Sequence, residues 1–174
     1  AYSALKKEID IAADIQQRIL PVTYPDISGY EVSAHMRPAR VMGGDFYDIF
    51  ECDNGDIGFV VADVSGKGVP AAFYMAVART LIHSVAHSVA EPSDCLHRVN
   101  ELLCNHHIPG MFVSVFYGRI NPQTHILTYA NGGHQLPFKI SAGQPPQELH
   151  GGDGVVLGVI TGLDYQQACM TLAP

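Results

Sequence analysis

"MGGDFYDIFECDNGDIGFVVADVSGKG", residues 42–68, decides the fold. It holds two β-rich runs, 46–52 and 57–63, joined across Asp53-Asn54-Gly55, and an Asn-Gly pair between such runs signals a hairpin. The stretch Ile57–Ala62 is apolar and reads as a buried central strand. Asp63 ends it at the margin of the core, before the turn Ser65-Gly66-Lys67-Gly68. A carboxylate there is partly desolvated, which is costly unless it is paired, protonated or bound to a cation. Asp45 opens the first run behind Gly43 and Gly44, residues that let backbone or ligand come close. A two-residue turn at Asn54-Gly55 sets Asp63 opposite Phe46, and one extra residue sets it opposite Asp45 instead. Two carboxylates at one strand end repel unless something positive lies between them. Hard cations such as Mg²⁺ or Mn²⁺ take carboxylate, carbonyl and water oxygens, so the two acids and a neighbouring carbonyl form a candidate metal site. The plainer alternative is that the acids cap turns or pair with Arg40 and Lys67.

Upstream, residues 3–19 lack Gly and Pro, and Leu5, Ile9, Ala12, Ile15 and Ile19 recur at steps of three and four. That predicts an amphipathic helix, stopped by Pro21. It either lies on its own domain or ends a linker from an upstream domain, with a dimer contact as a further role. Downstream, residues 70–90 predict a long helix opened by Pro70, and "PSDCLHRVNELLCNH" a second one capped by Ser93 or Asp94. "MFVSVFYGRI" and "HILTYANGG" are β-rich runs joined by "NPQT". "LPFKI" and "QELH" suggest another hairpin, and "DYQQACMTLAP" a last strand. Strands, two helices, then strands, without regular alternation, predict an α+β fold with antiparallel sheets.

The 174 residues suffice for one domain with a real core. A 47% hydrophobic and 16% charged composition is that of a globular chain. A formal net charge of −7 argues against non-specific nucleic-acid binding, which needs clustered Lys and Arg. No apolar run is read as approaching the ~20 residues of a membrane span, and neither a signal peptide nor a membrane partner is expected. Cys52, Cys95, Cys104 and Cys169 form no C-x-x-C pair and are expected to be reduced thiols of a cytoplasmic protein.

His106 and His107 are adjacent and cannot both face one site. His83 and His87 stand one helical turn apart, a spacing that can bind Zn²⁺, but no acid follows His83 as in H-E-x-x-H, so ordinary helix-face histidines are expected. Ser65 and Ser114 lack the G-x-S-x-G context of a hydrolase nucleophile. "SGKG" is too short for a phosphate-cradling loop.

"GGDFYD", then "VADVSGKGVPAAFYMA", and later "YANGGHQLP" resemble the SpoIIE/RsbU-type branch of the PPM metal-dependent serine/threonine phosphatases. The likeness covers nearly the whole chain, including "FVSVFYGRINPQTHILTYANGGH" and Leu157-Gly158-Val159. It implies a two-sheet antiparallel β-sandwich flanked by helices, with residues 1–22 as a linker or switch helix and 23–174 as the phosphatase-like domain. It implies that Asp63 bridges two Mn²⁺ or Mg²⁺ ions, that the Val64 carbonyl is the next ligand, and that Asp45 lies at the edge of the metal site. Asn131 and His134 match the family's Asn-Ala-Gly-His turn, for which a structural role is expected ahead of a substrate contact. The implied reaction is hydrolysis of phosphoserine or phosphothreonine by metal-activated water. The implied partners are a phosphorylated anti-sigma-factor antagonist and an upstream sensor or receiver domain. Family members continue past the "TLAP" position with Thr-Asp-Gly and Asp-Asp segments that supply two more metal-binding aspartates. A chain ending at Pro174 is therefore either truncated at its C-terminus or naturally short, and in both cases is expected to lack a full two-metal site and to bind metal weakly. The other expectation is a partner-binding module of the same fold, controlled by its N-terminal helix.

Overall fold

The computed structural model describes residues 2–38 and 41–172, so Arg40, one of the anticipated partners of the acids, lies outside the described residues. Among the described residues three helices and eight strands follow one another as α1 (Tyr2–Ile19), β1 (Phe46–Glu51), β2 (Ile57–Val64), α2 (Val69–Ser88), α3 (Pro92–Asn105), β3 (Val113–Asn121), β4 (Ile126–Gly132), β5 (Phe138–Lys139), β6 (Gln147–Glu148), β7 (Asp153–Gly154) and β8 (Ala168–Thr171). The class is α+β, as the order of strand and helix signals predicts.

One six-stranded sheet runs β1-β2-β3-β4-β7, with β8 paired to the first half of β4. All its pairs are antiparallel except β4 with β7. The anticipated hairpin β5-β6 forms a separate two-stranded sheet. Of the implied sandwich, the described residues thus supply one large layer and one small ribbon.

Period-two patterning fixes the two faces of the large sheet. Val60, Ala62 and Val64 of β2, with Val113, Val115 and Tyr117 of β3, are buried in one core with Met75, Ala78 and Ile82 of α2 and Leu96, Val99 and Leu103 of α3. The opposite face carries Phe116, Leu127 and Tyr129, partly covered by Phe59, Leu149 and Met170. Asp63 belongs to that second face.

α2 is long and apolar enough to pass as a membrane span by length and composition, although no such run was expected. Its composition has a different cause: Ala71, Ala72, Tyr74, Met75, Ala78, Ile82, Val85 and Ala86 are buried. Pro70 stands in its first turn, as predicted. α3 starts earlier than expected. Pro92 takes the first turn and Glu91 the cap position without a side-chain cap bond, so neither Ser93 nor Asp94 caps it.

α1 forms as predicted but turns a different seam inward. Ala13, Gln16 and Leu20 are buried, while Leu5, Ile11 and Ile15 are exposed. Small Ala13 packs with Met42 and Ala72, bringing α1 close to α2. Gln16 gains two main-chain partners on Gly43: its Nε2 donates to the carbonyl at 2.6 Å and its Oε1 accepts from the N–H at 3.2 Å. A buried amide satisfied in this way outcompetes an apolar residue that solvent-exposed helix positions tolerate.

Candidate active site at the β1–β2 rim

The hairpin turn sets the site. Gly55 N donates to Cys52 O at 2.9 Å and Cys52 N to Asp56 O at 2.8 Å, with Gly55 at φ 82. This is a three-residue loop, a tight turn followed by a left-handed glycine, instead of the two-residue turn expected at Asn54-Gly55. The extra residue shifts the register so that Phe46 faces Ala62, not Asp63. One step further out stand Asp45 and Asp63. The ladder continues past them, since Val64 N donates to Gly44 O at 3.3 Å.

Gly44 makes this closeness possible. A Cβ built there would meet the Val64 carbonyl oxygen at 2.6 Å. A Cβ on Gly43 would find nothing nearer than 3.8 Å. The Asp45 carboxyl lies close enough to Asp63 to act on its ionisation. Desolvation, then a hydrogen bond with Asp45, then its charge, push the Asp63 carboxyl up to about 6. Among the described residues no Lys or Arg makes an ion pair with either acid. Lys67, the other anticipated partner, lines the small cavity beside them without pairing.

Two cavities meet at the acids. One, about 530 Å³, is lined by Asp45, Asp63, Tyr47, Ser114 and His134 among others. The other, about 210 Å³, is lined by Gly43, Gly44, Asp45, Asp63, Gly66 and Lys67 among others. Turn glycines Gly66 and Gly68, at φ 86 and 72, carry the chain from Asp63 into α2.

Asn131 does what a turn residue should. Its Nδ2 donates to His134 O at 3.0 Å and its Oδ1 accepts from His134 N at 2.7 Å. The imidazole of His134 then points into the larger cavity. Ser114 Oγ lies 2.9 Å from His134 Nδ1 and 3.4 Å from the main-chain oxygen of Asp63. Burial lowers the His134 pKa and the nearby Asp45 charge partly opposes that, so the ring is neutral at neutral pH. Ser65 is taken up by structure: its Oγ donates to Gly110 O at 2.8 Å and accepts from Phe112 N at 2.9 Å.

The sequence offered Lys67 only as an ion-pair partner of the acids and Ser114 only as a nucleophile to be set aside, and neither as a wall of the site. The signal for Ser114 is its position opposite Asp63 across β2–β3, legible only once those strands are paired.

The donors present are hard: two carboxylates that repel each other and, in Val64, a carbonyl held beside them by Gly44. They fit Mg²⁺ or Mn²⁺ in kind. They are too few to fill such an ion's shell. Among the described residues no group of three or more His, Cys, Asp and Glu side chains converges on one point.

Residues 53–174 match the sequence model of the family described as Stage II sporulation protein E (SpoIIE). The chain belongs to the SpoIIE family. It falls in the SpoIIE/RsbU branch of the PPM phosphatases, as the motifs around the two acids imply. It is 34% identical over 163 residues to the phosphoserine phosphatase RsbU of Bacillus subtilis, covering 94% of this chain and 48% of RsbU. It is 27% identical over 162 residues to Protein IcfG of Synechocystis, covering 78% of this chain and 26% of IcfG. The chain thus spans about half of one relative and a quarter of the other. The SiaA-PP2C domain of Pseudomonas aeruginosa superposes with a TM-score of 0.78 at 24% identity, over 100% of this chain and 69% of that one. The RsbU and RsbW domains of Rv1364c from Mycobacterium tuberculosis give 0.67 at 22%, over 79% and 38%. At these identities the structures speak for the fold alone, and they place this SpoIIE-family chain in the PPM fold.

Proposed function

We propose that this domain is a protein phosphatase that hydrolyses phosphoserine or phosphothreonine on a partner protein. The observation that carries the reading is the Asp45–Asp63 pair at the meeting point of two cavities, with no cationic side chain between them among the described residues. Asp45, Asp63 and the Val64 carbonyl are the residues that would hold Mn²⁺ or Mg²⁺. Such ions, two in the complete family site, activate water and neutralise phosphoryl oxygens, so no protein nucleophile is needed.

The chain's own groups do the rest. Gly44 holds the β1 end against Val64 and so keeps the acids together. The larger cavity admits a phosphorylated side chain from the Ser114–His134 side. Lys67 lines the smaller cavity beside the acids, where an ammonium would attract a phosphoryl oxygen. His134, neutral and held through Nδ1 by Ser114, orients the wall facing the acids.

The substrate we propose is a phosphoserine on a protein of the anti-sigma-factor antagonist type, in the cytoplasm. Support comes from the RsbU likeness. α1 is the natural input element for an upstream sensor or receiver domain, because Gln16 grips the loop that carries Asp45. Exposed Leu5, Ile11 and Ile15 are the surface a homodimer would use.

The test is Mn²⁺-dependent phosphate release by the full-length protein from a phosphoserine protein and from p-nitrophenyl phosphate. Absence of release from both overturns the phosphatase reading. A second reading, a module that keeps the fold and holds a partner without turnover, draws on the small donor set of the site. Asp63→Asn separates the two: it abolishes turnover under the first reading and leaves partner binding unchanged under the second.

A further inference from the structure

On the other face of β1 a different cluster forms. Asp48 is buried, and its Oδ1 accepts from Arg79 at 2.9 Å. Its Oδ2 lies 2.9 Å from His83 Nδ1. One helical turn further along α2, His87 Nδ1 lies 2.9 Å from Asp53 Oδ1. Both histidines of the i, i+4 pair are therefore backed by a carboxylate on the same ring nitrogen.

This fixes the tautomer. An ionised carboxylate only accepts, so each Nδ1 carries the proton and each neutral ring keeps its lone pair on Nε2. Neither Nε2 has a hydrogen-bond partner among the described residues. Phe50 packs against both rings, with centroids at 4.6 and 5.7 Å, and holds them from behind. The two imidazole centroids are 5.1 Å apart. A tetrahedral ion with Zn–N bonds of about 2.0–2.1 Å holds two imidazole centroids roughly 5 Å apart. The histidine side chains are 38% and 33% exposed, enough for an ion to reach them from solvent. Asp48, Asp53 and Asp56 against Arg79 and Arg119, the last lining the cavity beside Asp53 and His87, leave the surroundings one charge negative, which favours a cation.

We propose that His83 and His87 form a transition-metal site that takes Zn²⁺, or a similar imidazole-preferring ion, through their two Nε2 atoms, with water completing the shell. Asp48 and Asp53 act as the outer partners that orient ligating histidines. The chemistry differs from that of the Asp45–Asp63 rim, whose oxygen donors suit Mg²⁺ and Mn²⁺. A bound ion would cross-link two turns of α2, and through the carboxylates tie them to β1 and its hairpin loop.

The test is titration of the protein with Zn²⁺ by calorimetry, in saturating Mg²⁺ to occupy the oxygen site. NMR of the imidazole nitrogens runs in parallel. The expected result is one Zn²⁺ per chain, with the Nε2 resonances of His83 and His87 shifting together. His87→Ala should abolish that binding event, and Asp53→Asn should weaken it about 10–100-fold. Circular dichroism checks that each variant stays folded. Since neither residue belongs to the acid rim, Mn²⁺-dependent phosphate release should persist in both variants. Zn²⁺ binding unchanged in His87→Ala, or shifts confined to other histidines, overturns the proposal. So does a wild-type protein that takes up no Zn²⁺.

Discussion

Gln16 on α1 holds both main-chain polar groups of Gly43, two residues before Asp45. Position on the first helix is thereby written into position at the acid rim. Gln16→Ala removes both partners of a half-buried peptide group and leaves it unpaired, at a cost of about 1–3 kcal/mol. The expected outcome is a lower denaturation midpoint with an unchanged dependence on denaturant, together with weaker phosphate release. A variant as stable and as active as the parent would show that the contact couples nothing.

The acid pair has a pH signature with a definite sign. The Asp63 carboxyl is pushed up to about 6 in the fold, above its ordinary value. The folded state therefore holds a proton that the unfolded chain has released. The penalty for ionising Asp63 is fully present above about pH 6, and it fades as pH falls toward the ordinary carboxylate range. In metal-free buffer Asp63→Asn should match or exceed the parent's stability at neutral pH. That advantage should vanish near pH 4. Added Mn²⁺ should raise the parent's melting temperature more at neutral than at acid pH, because ligand carboxylates must be deprotonated. It should act less on Asp63→Asn at both. Urea midpoints across the pH range check the first statement and thermal melts the second.

Hairpin, helices and acid pair were all legible in the letters, because period-two alternation, an Asn-Gly turn and glycine-flanked carboxylates are local signals. The register was not. Whether Asn54-Gly55 makes a two-residue turn or closes a three-residue loop depends on Cys52 and Asp56 pairing, which alternation does not reveal. The inward seam of α1 escaped because hydropathy ranks Ile15 above Gln16, and only a main-chain partner far along the chain reverses that order. Ser114 and the carboxylate-backed histidines escaped for the same reason. Each is defined by a contact between elements. A spacing of four placed His83 and His87 on one helix face, and only the sheet beneath them supplied Asp48 and Asp53.

Asn131 is buried and spends its amide on the turn that aims His134. Asn131→Ala leaves the His134 N–H and carbonyl without those bonds, and should destabilise the domain by about 1–3 kcal/mol. Asn131→Asp keeps the acceptor for the N–H but loses the donor to the carbonyl, so it should fall between parent and Ala. Denaturant melts give the ranking. Equal midpoints for the three proteins would remove Asn131 from the account of how His134 is placed.

The sharpest contrast lies between adjacent glycines. Gly44→Ala would drive a methyl group to 2.6 Å from the Val64 carbonyl oxygen, a main-chain atom held in the β2 ladder. The clash must be relieved by moving the end of β1, and overpacking of this kind costs about 1–3 kcal/mol. Asp45 moves with that strand end, so its influence on Asp63 weakens and the Asp63 carboxyl titrates closer to its ordinary range. Gly43→Ala is the matched control, since its methyl would meet nothing closer than 3.8 Å and neither residue has the positive φ that demands glycine. Gly43→Ala should therefore keep stability, the raised Asp63 titration and Mn²⁺-dependent phosphate release, and Gly44→Ala should lose all three. Carboxyl titration by NMR alongside denaturant melts reads both variants. If they behave alike, closeness to Val64 is not what brings the two acids together.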